Sequence, residues 1–401
     1  MRARSIFLCL CVLILVTTIS AAAPTRHIHE IQSPLFNAPA IVKSGDAFSV
    51  KFFLPPDTTP KSIKLIPTAA GGKEIDLPVG ARIHSGLFDS FLVMTPADAP
   101  EGLYNLQVTF SNAATDTQPH AVKVVSEFKS EYVFVHLTDI HFNLERNGKS
   151  RNPIRFRILE DIAKLNPEFI IFSGDIGLDP VNYDVDYPFG YDMFNKYINT
   201  PMYMVPGNHE LTIDAAIDGL DYWKAMYGPR YSSFDYGPLH VVNLSTYDWA
   251  PRWRDKNNSE ARSQKVDDMA YIGPEQWDWL QRDVAQAAGR GQHIIMHTHI
   301  PLEFLMGGKK AGLTKPEKLD GPSLQTFTRF LDHYKVSHVF IGHMHMNSER
   351  RLGKSITEVL SLAAGQNVDK KNPIWGYRIV HVKDGVITKM ETREFVLKDY
   401  E

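Results

Sequence analysis

From about residue 130 onward, short runs of nearly uninterrupted apolar residues alternate with segments of helical periodicity. A strand covered on both faces reads as a continuous apolar run, because neither face meets water. Helices between such strands form layers outside the sheets. The pattern therefore predicts an α/β domain over residues 129–401. The six clearest runs are 132–137, 169–173, 202–205, 239–244, 293–296 and 336–341.

Two intervening helices can be placed from sequence. The segment 153–165 begins with a proline and carries apolar residues on one helical face, and Asn166-Pro167 ends it. A second helix is expected to begin at Gly273-Pro274. Both predictions place a helix between two buried strands.

Residues 34–126 follow a different period. Apolar and polar residues alternate singly over 48–52 and 104–110, and clusters of Gly, Pro, Ser and Asp separate such stretches. A period of two places one face against a core and the other in water. No helical period competes, so residues 24–128 are predicted to form an antiparallel β-sandwich of immunoglobulin-like type. The chain is thus expected to have two domains, the first a spacer or a wall beside the substrate.

The first 23 residues predict a secretory signal peptide. Arg2 and Arg4 precede an apolar run from Ile6 to Val16, and small residues follow as far as Ala21–Ala23. That run is too short to span a bilayer, and no later segment is long enough. We therefore expect a secreted or periplasmic protein that is soluble and has no transmembrane anchor after signal removal.

Cysteine usage and charge exclude several classes of site. Both cysteines, Cys9 and Cys11, lie in the signal segment, so the mature chain would have no disulfide, thiol nucleophile or zinc–thiolate centre. Of 43 Lys and Arg residues, Arg2 and Arg4 are also lost, which leaves 41 against 46 acidic residues. The net charge is then about −5, and no basic run suggests a nucleic-acid partner.

Five of the apolar runs end in residues that bind metals. Loops after the carboxyl ends of neighbouring strands converge at one edge of an α/β sheet, so these side chains should meet. Imidazole nitrogen and carboxylate oxygen suit Mn, Fe, Zn or Co, and a carboxylate such as Asp175 can bridge two cations. The motifs are Asp139-Ile140-His141, Gly174-Asp175, Gly207-Asn208-His209-Glu210, His297-Thr298-His299-Ile300-Pro301 and Gly342-His343-Met344-His345.

Each motif alone is a common structural pattern. Gly-Asp usually marks a turn, and an Asp-x-His triplet occurs by chance in many chains. A purely structural explanation must account for all five motifs, in order, each after a buried run. The glycines at 174, 207 and 342 are expected to let the backbone turn sharply. Other histidines are expected to be structural, either within strands or, for the first two, in a mobile N-terminus: His27, His29, His136, His240, His293, His338 and His381.

The order of the five motifs resembles the calcineurin-like metallophosphoesterase superfamily, over about residues 131–350. The resemblance implies a layered αββα sandwich, with the strands after residue 350 completing the second sheet. It favours His299 over His297 in the fourth motif, because His299-Ile300-Pro301 fits the family's His-x-Pro pattern. It implies one metal held by Asp139, His141, Asp175 and His345, and a second held by Asp175, Asn208, His299 and His343.

The implied activity is hydrolysis of a phosphate ester by a hydroxide that bridges the two metals, with a phosphodiester placed ahead of a phosphomonoester. His209 would face the substrate phosphate and, with Asp175, carry the catalysis. Some relatives have a tyrosine three residues after the bridging aspartate; here Leu178 makes the purple acid phosphatase branch unexpected. A catalytically inactive metal-binding or surface-binding protein on the same scaffold stays open as the alternative.

Two flanking features stay open at the sequence level. Arg146, Lys149 and Arg151 follow the first motif and could attract an anionic substrate, although a charged loop is usually only solvated surface. The long polar segment 246–272 contains Tyr247 and two tryptophans, Trp249 and Trp253. A loop of that length is either a lid over the site or ordered surface.

Overall fold

The computed structural model describes residues 26–146, 149–177, 183–214, 217–263, 265–305, 320–366 and 374–396. The predicted signal segment and Leu178 lie outside these ranges. The strands are β1 (Ile31–Ser33), β2 (Ala40–Lys43), β3 (Ala47–Phe52), β4 (Pro60–Pro67), β5 (Ile75–Leu77), β6 (Val79–Ser85), β7 (Phe88–Met94), β8 (Gly102–Phe110), β9 (Thr115–Val125), β10 (Glu131–Leu137), β11 (Glu145–Arg146), β12 (Lys149–Ser150), β13 (Ile170–Phe172), β14 (Met202–Met204), β15 (Ile213–Asp214), β16 (Ile217–Asp218), β17 (Ser232–Tyr236), β18 (Leu239–Asn243), β19 (His293–Thr298), β20 (His338–Ile341), β21 (Ser348–Leu352), β22 (Ile356–Leu360), β23 (Ile374–Lys383) and β24 (Val386–Val396). The helices are α1 (Asn152–Leu165), α2 (Tyr183–Tyr197), α3 (Asn208–Leu211), α4 (Gly219–Met226), α5 (Pro251–Arg254), α6 (Ser259–Ser263), α7 (Pro274–Gly289) and α8 (Leu324–His333).

The N-terminal region consists of two sheets around one core. One sheet has the order β1-β3-β7-β6 and the other β2-β9-β8-β4-β5. The alternation predicted from sequence is present, because Val50, Phe52, Leu106 and Val108 point into the shared core and are fully buried. One pairing differs from the antiparallel prediction: β2 runs parallel to β9. This parallel pairing joins residues far apart in sequence, so local periodicity could not reveal it.

The α/β domain also contains two sheets, with the orders β14-β13-β10-β23-β24 and β17-β18-β19-β20-β22-β21. Both sheets contribute to one apolar core, in which the Phe134 ring lies 4.9 Å from that of Phe169 and 5.6 Å from that of Phe340. Helix α2 packs on β13 through a contact between the rings of Phe194 and Phe172. Helix α7 packs on α8 through a contact between the rings of Trp277 and Phe330. The predicted α/β architecture is therefore present.

The two helices predicted from sequence are confirmed. Helix α1 has Pro153 in its first turn, buries Ile154, Ile158 and Ile162, and ends where Asn166 adopts a left-handed conformation with φ 49°. Helix α7 begins directly after Gly273. The apolar face of α1 is buried against the first sheet, which explains why its sequence pattern was clear.

The strands after residue 350 divide between the two sheets, so the prediction that they complete the second sheet is wrong in part. Strand β22 lies parallel to β20 in the second sheet. Strand β23 instead pairs antiparallel with β10 in the first sheet, with Tyr132 opposite Val382. Both strands are apolar, and only tertiary packing decides which sheet edge each of them occupies.

The N-terminal tail is packed on the α/β domain, contrary to the expectation that it is mobile. The backbone N–H groups of His27 and Ile28 both donate to the carbonyl oxygen of Ala225 on α4. The His27 ring lies 4.2 Å from the Tyr191 ring on α2. No helix within the described ranges is long and apolar enough to cross a membrane.

Candidate metal centre

Four of the predicted ligands form a compact cluster at the carboxyl ends of β10, β13 and β20. Each of Asp139, His141, Asp175 and His345 offers one ligand atom, and these atoms lie within 4.8 Å of one another. The closest approach is 3.0 Å, between His345 Nε2 and Asp139 Oδ1. Three of the four residues are buried, so their polar atoms face one another instead of bulk water.

A second group meets the first at Asp175. His299 Nε2 lies 3.0 Å from Asn208 Oδ1 and 3.3 Å from Asp175 Oδ2. His343 Nδ1 lies 3.2 Å from the same Asn208 oxygen. Because Asp175 Oδ2 is also 3.7 Å from His141 Nε2, this carboxylate lies between the two groups. The structure thus brings together all seven residues predicted as ligands.

His209 lies at the edge of the cluster and is more exposed than its neighbours. About a third of its side chain is exposed, at 35%. Its Nε2 lies 3.9 Å from Asp175 Oδ2, and its ring is perpendicular to the ring of His141. This imidazole therefore points toward Asp175 while part of it remains open to solvent.

The backbone at the cluster is unusual in a way that sequence did not reveal. Five clustered residues have a positive φ, a conformation that L-residues other than glycine rarely adopt. Such conformations cost about 1–3 kcal/mol each and are concentrated at functional sites. The values are 53° at Asp139, 42° at His141, 61° at Asp175, 63° at His343 and 51° at His345.

The glycines of the motifs serve two different purposes. Gly174 has φ +86°, which agrees with the predicted sharp turn. Gly207 and Gly342 do not have a positive φ; a Cβ there would lie 2.0 Å from Asp175 Oδ1 and 2.1 Å from Thr138 Oγ1, respectively. At these two positions the missing side chain lets neighbouring loops pack closely, and the chain still turns sharply after Gly342, where Met344 N–H donates to the Gly342 carbonyl oxygen at 2.6 Å.

Backbone carbonyl groups orient two of the imidazoles. His141 Nδ1 lies 2.9 Å from the Gly177 oxygen, and His299 Nδ1 lies 2.6 Å from the Ser173 oxygen. A carbonyl oxygen only accepts, so each Nδ1 carries the proton and donates it. Each Nε2 therefore faces the cluster, where loss of any proton on it would present its lone pair to a metal.

Glu210 joins the second and third motifs and was not assigned a role from sequence. Its Oε2 accepts from the N–H groups of Asp175 and Gly207 at 2.7 and 2.8 Å, and its Oε1 accepts from Ile176 N–H at 2.8 Å. Burial raises the pKa of this carboxyl to about 7. The side chain fixes the loop of Asp175 against the loop of Asn208. Its only sequence signal was its place at the end of the third motif.

Of the two histidines in the fourth motif, only His299 joins the cluster. His297 instead contacts Ser173 Oγ at 3.1 Å and Asn243 Oδ1 at 2.7 Å. Burial lowers the pKa of His297 to about 3, so this ring is neutral. The five other histidines expected to be structural all lie within strands: His136, His240, His293, His338 and His381.

Comparison with known proteins identifies the family. The sequence model of the calcineurin-like phosphoesterases matches residues 132–347, which is more than half of the chain.

The chain belongs to the calcineurin-like phosphoesterases.

Several solved structures are similar to this phosphoesterase, whereas no curated protein matches its sequence. A purple acid phosphatase from yellow lupin seeds has 14% identity and a TM-score of 0.45, over 86% of this chain and 72% of that protein. A dimetal phosphatase from Danio rerio has 11% identity and a TM-score of 0.45, over 65% of this chain and 98% of that protein. A 5′-nucleotidase from Candida albicans has 16% identity and a TM-score of 0.34, over 62% of this chain and 46% of that protein.

The donors in this phosphoesterase fit the two divalent metal ions that its family binds. They comprise two carboxylates, one amide oxygen and four imidazoles, and no thiolate. This set suits borderline divalent cations such as Mn, Fe, Zn or Co. Asp175 occupies the position between the two groups where one carboxylate can contact two cations.

The segment 246–272 places one acidic residue, Asp268, at the solvent-exposed side of this centre, which we call its mouth. Tyr247, Trp249 and Trp253 are buried in the apolar core, so they anchor the segment instead of overhanging the site. Asp268, at the end of a short 3-10 helix, has Oδ1 3.9 Å from His343 Nε2 and a side chain that is 60% exposed. Asp268 had no sequence signal.

The basic residues after the first motif do not form one exposed cluster. Lys149 is exposed on β12, whereas Arg151 is buried at the start of α1. The side chain of Arg146 lies outside the part of the chain that the structure describes.

Proposed function

We propose that this phosphoesterase hydrolyses phosphate esters with a binuclear metal centre, and that it prefers phosphodiesters. The observation that carries the proposal is the position of the Asp175 carboxylate, between the group Asp139, His141 and His345 and the group Asn208, His299 and His343. We assign one metal to the first group with Asp175, and the other to the second group with Asp175.

When bound, two divalent cations supply an activated water molecule and neutralise the charge on the phosphate. The protein supplies the geometry. The Ser173 and Gly177 carbonyl groups hold the Nε2 atoms of His299 and His141 toward the centre, and Glu210 holds the Asp175 loop. His209 Nε2–H faces the space beside Asp175, where it can donate to a phosphate oxygen or protonate the leaving oxygen.

The proposal is tested by metal content and hydrolysis on one purified sample. Elemental analysis is compared with turnover of bis(p-nitrophenyl) phosphate and p-nitrophenyl phosphate, with Mn, Fe, Zn or Co added in turn. We expect about two metal ions per chain and faster turnover of the diester. Two bound metals without hydrolysis of either ester would favour an inactive binding protein, and absence of both would refute the proposal.

Removal of the His209 imidazole should separate catalysis from metal binding. We expect His209→Ala to retain two metals and to lower kcat by about 10²–10⁴-fold, the range for loss of a general acid. His293→Ala, at an exposed histidine on β19, is the matched control and should leave kcat unchanged. Metal loss in His209→Ala equal to that of a ligand variant would contradict the role that we assign to this residue.

The charge at the mouth of the centre supports the preference for diesters. A phosphomonoester carries about −1.5 to −2 charges near neutral pH, whereas a diester carries a single negative charge. The Asp268 carboxylate stands beside His343 and repels the more highly charged ester more strongly. The exposed position of Asp268 limits this effect to the size of a surface charge interaction.

Neutralisation of Asp268 should therefore shift the selectivity. We expect Asp268→Asn to raise kcat/KM for p-nitrophenyl phosphate relative to bis(p-nitrophenyl) phosphate by about two- to fivefold, which corresponds to up to ~1 kcal/mol. Asp46→Asn, at an exposed aspartate in the turn between β2 and β3, controls for the change in net charge. An unchanged ratio would remove Asp268 as a cause of the preference.

We also propose that residues 24–128 form an immunoglobulin-like domain and residues 129–401 the catalytic domain. The order β1-β3-β7-β6 corresponds to A-B-E-D of that fold, and β9-β8-β4 to G-F-C. Tyr104, near the start of β8, donates from its hydroxyl to the Pro100 carbonyl oxygen at 2.7 Å, as the tyrosine corner of these domains does.

A fragment of residues 24–128 should fold alone, which is measured as cooperative unfolding of the isolated fragment. A fragment without cooperative unfolding would contradict the domain boundary.

Export is proposed from the sequence of residues 1–23. A basic start, an apolar stretch and small residues near Ala21–Ala23 support it, as does a remainder without cysteine. N-terminal sequencing of the protein recovered outside the cytoplasm should begin near Pro24. A mature protein that keeps Met1–Val16 would contradict the proposal.

A further inference from the structure

A chain of buried polar side chains crosses between the two sheets beneath the metal centre. His136 on β10 contacts Ser361 Oγ at 2.8 Å and Ser173 Oγ at 2.9 Å. Ser173 Oγ also contacts His297 Nδ1 at 3.1 Å, and His297 Nε2 contacts Asn243 Oδ1 at 2.7 Å. All five residues are at most 1% exposed, so these groups depend on one another for hydrogen bonds.

The Asn243 end of the chain fixes the direction of its hydrogen bonds, and the Arg378 end agrees with it. At one end, Arg378 Nε lies 3.4 Å from Ser361 Oγ, and a guanidinium can only donate. At the other end, the amide oxygen of Asn243 can only accept, while its amide nitrogen donates to Ser232 Oγ at 2.7 Å. The Asn243 end requires His297 Nε2 to donate, and with neutral rings and a single hydrogen on the Ser173 hydroxyl every donor then points from Arg378 toward Asn243. The bond from Arg378 agrees with this direction.

That direction determines the tautomer of each imidazole. The Ser361 hydroxyl donates to His136 Nδ1, and His136 Nε2–H donates to Ser173 Oγ. The Ser173 hydroxyl then donates to His297 Nδ1, and His297 Nε2–H donates to Asn243. Both rings are neutral with the proton on Nε2. His299 differs from both rings, since its Nδ1 carries a proton and donates it to the Ser173 carbonyl oxygen.

We propose that Ser173 and His297 are positioning residues of the metal centre: the one-way chain of hydrogen bonds holds Ser173 so that its carbonyl oxygen orients His299. This inference rests on the proposed function, in which His299 is a metal ligand. The Ser173 carbonyl accepts from His299 Nδ1 at 2.6 Å, and the residue immediately precedes Gly174-Asp175. Ser173 is therefore linked to two of the ligands: to His299 through its carbonyl oxygen, and to Asp175 through the intervening Gly174 of the chain.

The expected size of the effect follows from metal sites in general. Loss of a group that orients a ligand usually weakens metal affinity by about 10–100-fold. Removal of the Ser173 hydroxyl also leaves His136 Nε2–H without its acceptor and His297 Nδ1 without its donor in the dry interior. Unsatisfied buried groups favour any rearrangement that provides new partners, so the Ser173 backbone would be less firmly held.

A matched pair of serine variants tests the inference without measurement of turnover. The metal-free full-length chain is titrated with Mn²⁺ by calorimetry. We expect Ser173→Ala to weaken binding about 10–100-fold at the site that His299→Ala removes. Ser245→Ala deletes the same hydroxyl from an equally buried serine whose Oγ has no hydrogen-bond partner within the described residues, and it should bind as the wild type does.

The outcomes separate the two hypotheses. If the wild-type chain binds no Mn²⁺, Zn²⁺ or Co²⁺, the proposed function fails. If the wild type binds two ions and Ser173→Ala binds them equally well, the positioning role fails while the proposed function stands. Equal weakening in Ser245→Ala and Ser173→Ala would also overturn it, because the cause would then be a general loss of packing.

A spectroscopic measurement tests the chain in the unmodified protein, should Ser173→Ala not fold. Nitrogen-15 chemical shifts of labelled histidines distinguish the two neutral tautomers. We expect neutral rings with the proton on Nε2 at His136 and His297, and a protonated Nδ1 at His299. His297→Gln and His136→Gln assign the first two signals. A proton on Nδ1 of either ring would reverse the chain and overturn the inference.

Discussion

Replacement of Asp175 by asparagine should nearly abolish turnover while the fold stays intact. The carboxylate lies between two groups of donors, with its Oδ2 3.3 Å from His299 Nε2 and 3.7 Å from His141 Nε2. Asparagine has the same shape but offers one neutral oxygen, so the charge that would hold two cations together is lost. We expect kcat/KM to fall by more than about 100-fold, because loss of an outer partner alone costs about 10–100-fold.

The measurement combines hydrolysis of bis(p-nitrophenyl) phosphate with elemental analysis of the same sample. Metal content should fall together with turnover. Asp116→Asn provides a control, since Asp116 is a buried aspartate in the N-terminal sheets that accepts from Ile31 N–H at 2.8 Å. If Asp175→Asn kept both metals and full turnover, the carboxylate would have no bridging role.

Removal of metal should destabilise the α/β domain as well as inactivate it. A ligand that binds only the folded state stabilises it by about 2.7 kcal/mol at 100 times its Kd and about 4.1 kcal/mol at 1,000 times. A chain of this size loses roughly 2–4 °C in Tm per kcal/mol. We therefore expect a chelator to lower Tm by about 5–15 °C, and metal to restore both Tm and hydrolysis.

The physical reason lies in the strained backbone of the centre. Asp139, His141 and Asp175 have a positive φ, and this conformation costs free energy. Metal binding would offset that cost, whereas in the metal-free chain nothing at the centre would. Calorimetric scans with and without chelator check the prediction. Asp175→Asn should already unfold at the lower temperature and should not respond to chelator. A wild-type Tm independent of chelator would show that metal does not contribute to stability.

The candidate site could be predicted from sequence because its signals are local. Each apolar run marks a buried strand, and Asp139 or His343 follows such a run within a few residues. The order of the strands in the sheets was harder to predict from sequence, because β22 and β23 have similar apolar patterns but occupy different sheets. The same holds for β2, whose parallel partner β9 lies far away in the chain.

The choice between His297 and His299 shows where sequence periodicity stops being sufficient. Two residues separate them, so a period of two places both on the same face of a strand. The strand ends at Thr298, and beyond it the backbone leaves the pleat. His297 therefore remains between the sheets, whereas His299 reaches Asp175.

The sequence by itself determined the family, the α/β architecture and the residue types that converge on the centre, since these depend on patterns within a few neighbouring residues. The tertiary structure alone decided the left-handed backbone of the ligands and the hydrogen bonds by which Glu210 joins the Asp175 and Asn208 loops. It also decided that Asp268 lies beside His343 at the exposed side of the metal centre. It also decided the hydrogen-bond chain through Ser173. Those features depend on contacts between residues tens to hundreds of positions apart, and on side-chain directions that no local pattern records.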